Sequence, residues 1–398
     1  LFNKKKLGIF GMALFTGVFL AACSSPKSSD DTSVKGAGTE IGKTFKLGSN
    51  LELSGAVAAY GNSELQGINL AVEEINADGG INGKQIELIS KDNKSDNAEA
   101  ATVASNLTVN DKINAMVGPA TSGASKSVIP NITSAKVPFL TPSGTDDSIT
   151  VQNDKTQQFV FRSCFQDSYQ GTVLANYADD TLSAKKVVLF YDNSSDYAKG
   201  IAKAFKKAYK GEIVNEQTFV SGDKDFQAQL TKIKDKDFDA IVMPGYYTET
   251  GLITKQARDM GITKPILGGD GFSDPKYVET AGATGATNVF YVGHYSEKAP
   301  ATDKVATFIE AFNKKYGENP STFAALAYDA VYMIKQAAED TDAKTSGDVT
   351  EGLANLKDFT GVTGEMTIDK EHNPVKSAVV VGLTDGKEVS AESIAPAK

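Results

Sequence analysis

Histidine and cysteine are scarce. His294 and His372 are the only histidines in 398 residues, and Cys23 and Cys164 the only cysteines. A histidine-rich zinc site or a histidine-based catalytic triad has little raw material here. No serine sits between glycines in the pattern of a nucleophile elbow. An excess of basic charge is also missing. Formal charge is −9, and it falls to −12 without Leu1–Ala22, which carries Lys4, Lys5 and Lys6 and no acid. An acidic chain without a basic cluster is a poor candidate for nucleic acid. Asp235-Lys-Asp-Phe-Asp239 spaces acids like a calcium loop, but Ala240 stands where glycine is needed and Tyr246 where the bidentate glutamate belongs. Gly79-Gly-Ile-Asn-Gly83-Lys84 is not a phosphate loop, because its first glycine is misplaced and Gln85 follows the lysine. No fixed-period repeat is visible. These absences argue against an enzyme, a metal site or a cofactor.

The chain starts with a basic segment, Leu1-Phe-Asn-Lys-Lys-Lys6. An apolar run from Leu7 to Leu20 follows. It is short for a membrane span and has the flanks of a secretion signal. Leu20-Ala-Ala-Cys23 then resembles a bacterial lipobox. The expectation is a signal peptide over 1–22 and lipidation of Cys23. With Cys23 lipidated, Cys164 has no intrachain partner. Residues 23–43 are rich in Ser, Gly, Lys and Asp, with Val34 and Ile41 as the sizeable apolar residues. Such a composition reads as a flexible tether. It would hold a folded body at the outer face of the cell membrane.

From Thr44 the pattern alternates strand and helix. Phe45–Leu53 reads as a strand. Leu65, Ile68, Ala71, Val72 and Ile75 mark one helical face. Ile86–Ile89 and Ala115–Val117 are further strands, with a helix over Ala98–Val109 between them. Ser122–Ala135 reads as a helix that Pro130 should kink or end. A second series starts after Phe159–Arg162. Its strands include Val187–Tyr191 and Ala240–Met243, and Ala198–Tyr209 is an amphipathic helix. Strands alternating with helices imply right-handed crossovers and a parallel sheet. Two such series, each long enough for its own core, predict an α/β protein of two lobes.

Two turns rich in hydroxyls and glycine stand out, Gly118-Pro-Ala-Thr-Ser-Gly-Ala124 and Thr141-Pro-Ser-Gly-Thr145. Each follows a short apolar run. In an open parallel sheet such turns lie beyond the carboxyl ends of the strands, where ligands bind. Small residues there let a ligand approach the backbone, and free N–H and O–H groups favour an anion. The same residues also fit ordinary turns, with Ser122 as a helix N-cap and Ser143 and Thr145 capping the turn before Asp146.

A wider set of residues bears on that choice. Leu53-Ser-Gly-Ala-Val-Ala-Ala-Tyr-Gly61, Gly67-Ile-Asn-Leu-Ala-Val-Glu-Glu-Ile-Asn76 and Gly79–Gly83 open it. Gly118–Ser122, Thr141–Thr145, Tyr197-Ala-Lys-Gly200, Gly245-Tyr246 and Gly268-Gly-Asp-Gly271 continue it. In order and spacing the chain resembles the type I periplasmic-binding proteins, in particular the branched-chain amino acid binding proteins of ABC importers. The likeness runs from Thr44 to Leu383.

The resemblance implies a two-lobed fold, each lobe a mostly parallel sheet flanked by helices, joined by hinge crossovers. It implies a first lobe from 44–165 and 295–365 and a second from 166–294 and 366–398. Tyr60, Tyr197 and Tyr246 resemble the aromatic walls of the ligand site. Ser122, Ser143 and Thr145, with main-chain groups of Ala120, Ser143 and Gly144, resemble the contacts to the ligand's carboxylate and ammonium. Asp270 takes the place of the acid that pairs with the ammonium, where many relatives carry glutamate. Ser95 and Thr121 stand where some relatives carry a cysteine pair. The implied function is capture of leucine, isoleucine or valine for the permease of an ABC importer, by a monomer. An alternative use of the same fold is an extracellular amino-acid or amide sensor that signals to a partner protein.

Overall fold

The computed structural model describes residues 34–396. The first half opens with β1 (Phe45–Leu51), α1 (Ala58–Ala77), β2 (Ile86–Asp92), α2 (Asn97–Ser105) and β3 (Ala115–Val117). It continues with α3 (Ser122–Ala135), β4 (Phe139–Thr141), the hairpin of β5 (Val151–Gln152) and β6 (Lys155–Thr156), and β7 (Val160–Arg162). The sheet has the order β2-β1-β3-β4-β7, and every pair in it is parallel. Leu47, Val117, Leu140 and Phe161 are fully buried in it. Helices cover both faces, which is why its strands read as unbroken apolar runs.

The chain then crosses to α4 (Asp167–Asn176), β8 (Lys186–Asp192), α5 (Asp196–Ala208), β9 (Glu212–Phe219), α6 (Gln227–Lys234) and β10 (Ala240–Val242). Next come α7 (Tyr247–Asp259), β11 (Ile266–Gly268), α8 (Pro275–Ala281) and β12 (Val289–Gly293). It returns to the first lobe with α9 (Lys304–Tyr316), α10 (Thr322–Asp340), α11 (Ser346–Ala354) and the small strands β13 (Phe359–Thr360), β14 (Glu365–Ile368) and β15 (Pro374–Val375). It ends in the second sheet with β16 (Ala378–Thr384) and β17 (Lys387–Ile394). That sheet has the order β17-β16-β12-β11-β10-β8-β9 and is antiparallel only at β16 and β17.

In each sheet the strand order reverses once, beside β1 and β3 in the first and beside β8 and β10 in the second. The carboxyl ends at these switch points lead into the loops and first helical turns that carry Tyr60, Ala120, Tyr197 and Tyr246. Crevices there are the usual ligand sites of open α/β sheets.

Four expectations need correction. Pro130 neither ends nor divides α3. It lies on the exposed side, while Val128 and Ile132 beside it are fully buried, and this packing holds the helix through the lost hydrogen bond. The tether does not extend to residue 43. Val34 and Ile41 are buried, and the backbone of 36–41 bonds to residues 344–348, including Ser346 N–H to the Thr39 carbonyl at 2.8 Å. Backbone pairing and two buried side chains offset the ordering entropy that composition alone could not. The last crossing falls after β15, not before 366, because Met366 and Ile368 pack in the first core with Leu353 and Leu356. The short elements α8, α11, β12 and β17 escaped the sequence reading. Cys23, the apolar run and the first part of the tether lie outside the described residues.

Candidate ligand cleft between the lobes

The first lobe contributes three loop ends. Glu52, just after β1, accepts from Ala120 N–H at 3.0 Å, Thr121 N–H at 3.1 Å and the Thr121 hydroxyl at 2.8 Å. Thr121 is the N-cap of α3, and its side chain caps nothing because it is given to Glu52. Ser122 is therefore the first helical residue and not the cap. Its Oγ accepts from Asp146 N–H at 3.1 Å, tying the two hydroxyl-rich turns together. The first N–H groups of α3 have no intrahelical acceptors, and this end of a helix favours an anion.

The second turn divides its polar groups between the fold and the cleft. Ser143 Oγ lies 2.5 Å from Glu64 and 2.9 Å from the Ala120 carbonyl. Gly144 N–H donates to Thr141 Oγ1, and its carbonyl accepts from Arg162. The main-chain N–H groups of Ala120 and Gly144 are thus taken by the protein. Thr145 differs: its hydroxyl is fully buried and has no protein hydrogen bond.

The second lobe presents an aromatic wall and an acid. Tyr197, in the first turn of α5, stacks on Tyr246, the N-cap of α7, with centroids 5.1 Å apart and planes within 3°. Asp270 follows β11 and is buried. Its N–H donates to Gln170 Oε1 at 2.9 Å, and the next N–H, of Gly271, donates to Tyr197 Oη at 3.0 Å. Gly271 has to be glycine: a Cβ there would sit 2.6 Å from the Gly245 carbonyl and 3.3 Å from Tyr60 Oη. Tyr60 reaches over from α1, stacks on Phe323 and meets Tyr246 edge-on at 5.8 Å. The lobes are closed on one another, and Lys126 of α3 also pairs with Asp196 of α5 at 2.5 Å.

Several residues here carried no motif in the sequence. Asp270 Oδ2 lies 3.0 Å from His294 Nε2. Burial pushes the imidazole down to about 4, so it is neutral and donates Nε2–H to the carboxylate. It stacks on Phe165 at 3.6 Å, which fixes the ring. Asp167, at the start of α4, is fully buried with neither carboxylate oxygen hydrogen-bonded. Burial raises its pKa well above the carboxylate range. The neighbouring Thr145 hydroxyl opposes this rise. Asp167 borders the site through Gly200, where a Cβ would lie 2.5 Å from Oδ2. Gln170 Nε2 is likewise buried and unpaired. The structure thus brings together Tyr60, Thr145, Tyr197, Tyr246 and Asp270, and adds Asp167, Gln170 and His294.

An opening of about 180 Å³ lies at the cleft edge, lined by Val57, Thr121, Gly123, Ser195, Ser221 and Tyr246 among others. A larger hollow of about 760 Å³ lies at the amino ends of the first-lobe strands, against Lys46 and Asn114, away from these groups. The chemistry favours the smaller one. Among the described residues no cluster of histidine, cysteine, aspartate and glutamate is placed to hold a metal ion.

Residues 44–388 match the family described as periplasmic binding protein. The chain belongs to that family. A Leu/Ile/Val-binding protein homolog from Brucella melitensis is 32% identical over 85% of this chain and 91% of its own length. The branched-chain amino acid transporter substrate binding protein LivJ from Streptococcus pneumoniae, solved with isoleucine, is 52% identical with a TM-score of 0.86. That match covers 89% of this chain and all of LivJ. The leucine binding protein LivK from Thermotoga maritima is 32% identical, with a TM-score of 0.83 and coverage of 89% and 99%. The fold is therefore the two-lobed type I periplasmic-binding fold.

In this periplasmic binding protein the chain crosses between lobes after β7, after β12 and after β15. Lys376, in the last crossing, is buried. Its Nζ donates to Thr363 Oγ1 at 2.5 Å and to the Ser163 carbonyl, in the first crossing, at 3.3 Å. Asp329 accepts from Val362 N–H, Thr363 N–H and the Thr363 hydroxyl, and its charge faces the lysine. Burial still lowers Lys376 to about 8. The other histidine, His372, is structural: it stacks on Phe161 at 4.2 Å and bonds the Val160 carbonyl.

Proposed function

We propose that this protein captures a branched-chain amino acid between its lobes, outside the cytoplasmic membrane, and delivers it to the permease of an ABC importer. The observation that carries the reading is the pairing of opposite chemistries across one cleft. Thr145 and the uncapped start of α3 supply donors from the first lobe, and Asp270 and Asp167 supply carboxyl groups from the second. A zwitterion shut inside must have both ends matched, since an unpaired buried charge costs several kcal/mol. Ser122, Thr145 and the α3 N–H groups suit the ligand carboxylate. Asp270 suits the ammonium, with Asp167 as a second acid whose charge an ammonium would restore. Tyr60, Tyr197 and Tyr246 wall the side chain. The likeness to LivJ, solved with isoleucine, over 89% of this chain supports the same ligand class.

Selectivity then rests on apolar contact. Leucine has three more carbons than alanine, and burying them is worth roughly 2–3 kcal/mol at about 0.8 per carbon. The preference is tens- to hundredfold rather than absolute. We place the protein at the outer membrane face through lipidated Cys23, acting as a monomer and binding without turnover. Among the described residues no helix is long and apolar enough to cross a membrane.

Mass spectrometry of small molecules that copurify with the protein, followed by calorimetry with leucine, isoleucine, valine and alanine, tests the reading. Binding of none of the four, or turnover of a bound molecule, would overturn it. Release of the protein from membranes by Cys23→Ala tests the anchor.

A further inference from the structure

Ser143 Oγ has two close oxygen neighbours, Glu64 Oε1 at 2.5 Å and the Ala120 carbonyl at 2.9 Å. A serine hydroxyl carries one proton, and a carbonyl and a carboxylate carry none. With Glu64 ionised, one of these two contacts would be oxygen against oxygen with no hydrogen between. Glu64 is fully buried, and its other oxygen, Oε2, has no partner. Glu52 lies close by and differs in kind. It accepts from three donors on the turn after β3. Three donors suit a carboxylate, and two neighbouring buried acids do not both ionise without penalty.

We propose that Glu64 is a protonated positioning residue whose O–H donates to Ser143 Oγ, so that the Ser143 proton goes to the Ala120 carbonyl. This one chain then links α1 to both hydroxyl-rich turns. It sets the angle at which the turns meet the ligand's charged ends. The inference rests on reading the cleft as an amino-acid site. Burial also raises Glu64 well above the carboxylate range, with nearby Glu52 adding to the rise and Ser143 opposing it. Of the groups packed around it, Glu52 at the end of β1 is the charged one. The two turns present Ser143 and Ala120, and α10 presents Phe323 and Ala324 to Tyr60 and Gly67 of the same helix. Deprotonation at alkaline pH would break the chain of donors and weaken binding.

The test compares wild type, Glu64→Gln and Glu64→Ala by calorimetry with leucine, from about pH 7 to about pH 10. The glutamine amide can donate to Ser143 as the carboxyl does; alanine cannot. Glu64→Gln is expected within about threefold of wild type at neutral pH, and Glu64→Ala at least about tenfold weaker. Wild type should lose affinity with rising pH more steeply than Glu64→Gln. An infrared difference spectrum of wild type minus Glu64→Gln should contain a protonated-carboxyl band at neutral pH, whether or not leucine is bound. Absence of that band, or a glutamine variant as weak as the alanine one, overturns the proposal. A wild type that shows the band but binds no leucine sinks the functional reading and leaves the protonation assignment standing.

Discussion

Tyr60 Oη of the first lobe donates to the Gly271 carbonyl of the second at 2.6 Å, and the same oxygen accepts from Tyr247 N–H at 3.1 Å. One hydroxyl thereby closes two backbone groups of the opposite lobe. Both bonds exist only when the lobes are shut. In an open form water takes over the two backbone groups, so the latch acts on the closing equilibrium and not on folding.

Tyr60→Phe therefore leaves Gly271 O and Tyr247 N–H buried and unmatched in the closed form, at about 1–3 kcal/mol for such groups. Leucine affinity should fall about tenfold to a hundredfold, with little change in Tm. Small-angle scattering of the ligand-free variant should report a larger radius of gyration than wild type. Unchanged affinity by calorimetry would show that Tyr60 is wall only.

Asp270→Ala removes the acid assigned to the ammonium and strands His294, whose Nε2–H then has no acceptor. The chain should still fold, since Asp270 is linked to the scaffold by its own N–H to Gln170. Leucine binding should weaken by at least about a hundredfold, the scale for a buried charge that loses its partner. Asp167→Asn keeps the shape and removes the second charge, so it should weaken binding less. Wild-type affinity in Asp270→Ala refutes the assignment.

His294 gives the protein an acid-side sensitivity. Its pKa is lowered to about 4 in the folded protein by burial, against 6.5 for the ordinary side chain. Between those values the unfolded chain binds the proton and the folded one does not. Stability therefore falls as pH drops from 6.5 towards 4, by about 3 kcal/mol from this group. His294→Gln should flatten that part of the profile in denaturant titrations. A parallel profile in the variant would assign the slope to the carboxyl groups alone.

Gly67 marks where α1 and α10 touch. A Cβ there would lie 2.0 Å from the Ala324 carbonyl oxygen, a backbone atom that cannot turn aside. Gly67→Ala should push the helices apart and cost about 1–3 kcal/mol, despite alanine's better helix propensity. Thermal unfolding is the measurement, and an unchanged or raised Tm would contradict the contact.

Local pattern settled much of this architecture. Ala115–Val117 and Ser122–Ala135 were legible to the residue, because an apolar run, a glycine turn and a 3.6-residue period follow one another there. The proposed site residues Tyr60, Thr145, Tyr197, Tyr246 and Asp270 were reachable through the chain's resemblance to its family, whose motifs surround them. Asp167, Gln170, His294 and Glu64 were not. Each sits in an ordinary stretch of sequence, and what makes it matter is a partner 24 to 100 positions away or an absence of side-chain partners: His294 against Asp270, Gln170 against Asp270, Glu64 against Ser143, Asp167 with none. Periodicity reports which face of an element is buried; it says nothing of which distant loop end that face will meet. The reversal of strand order and the three crossings decide that, by bringing the carboxyl ends of both sheets to one cleft. The same limit explains residues 34–43, whose composition reads as tether and whose backbone is held by residues 344–348, three hundred positions on.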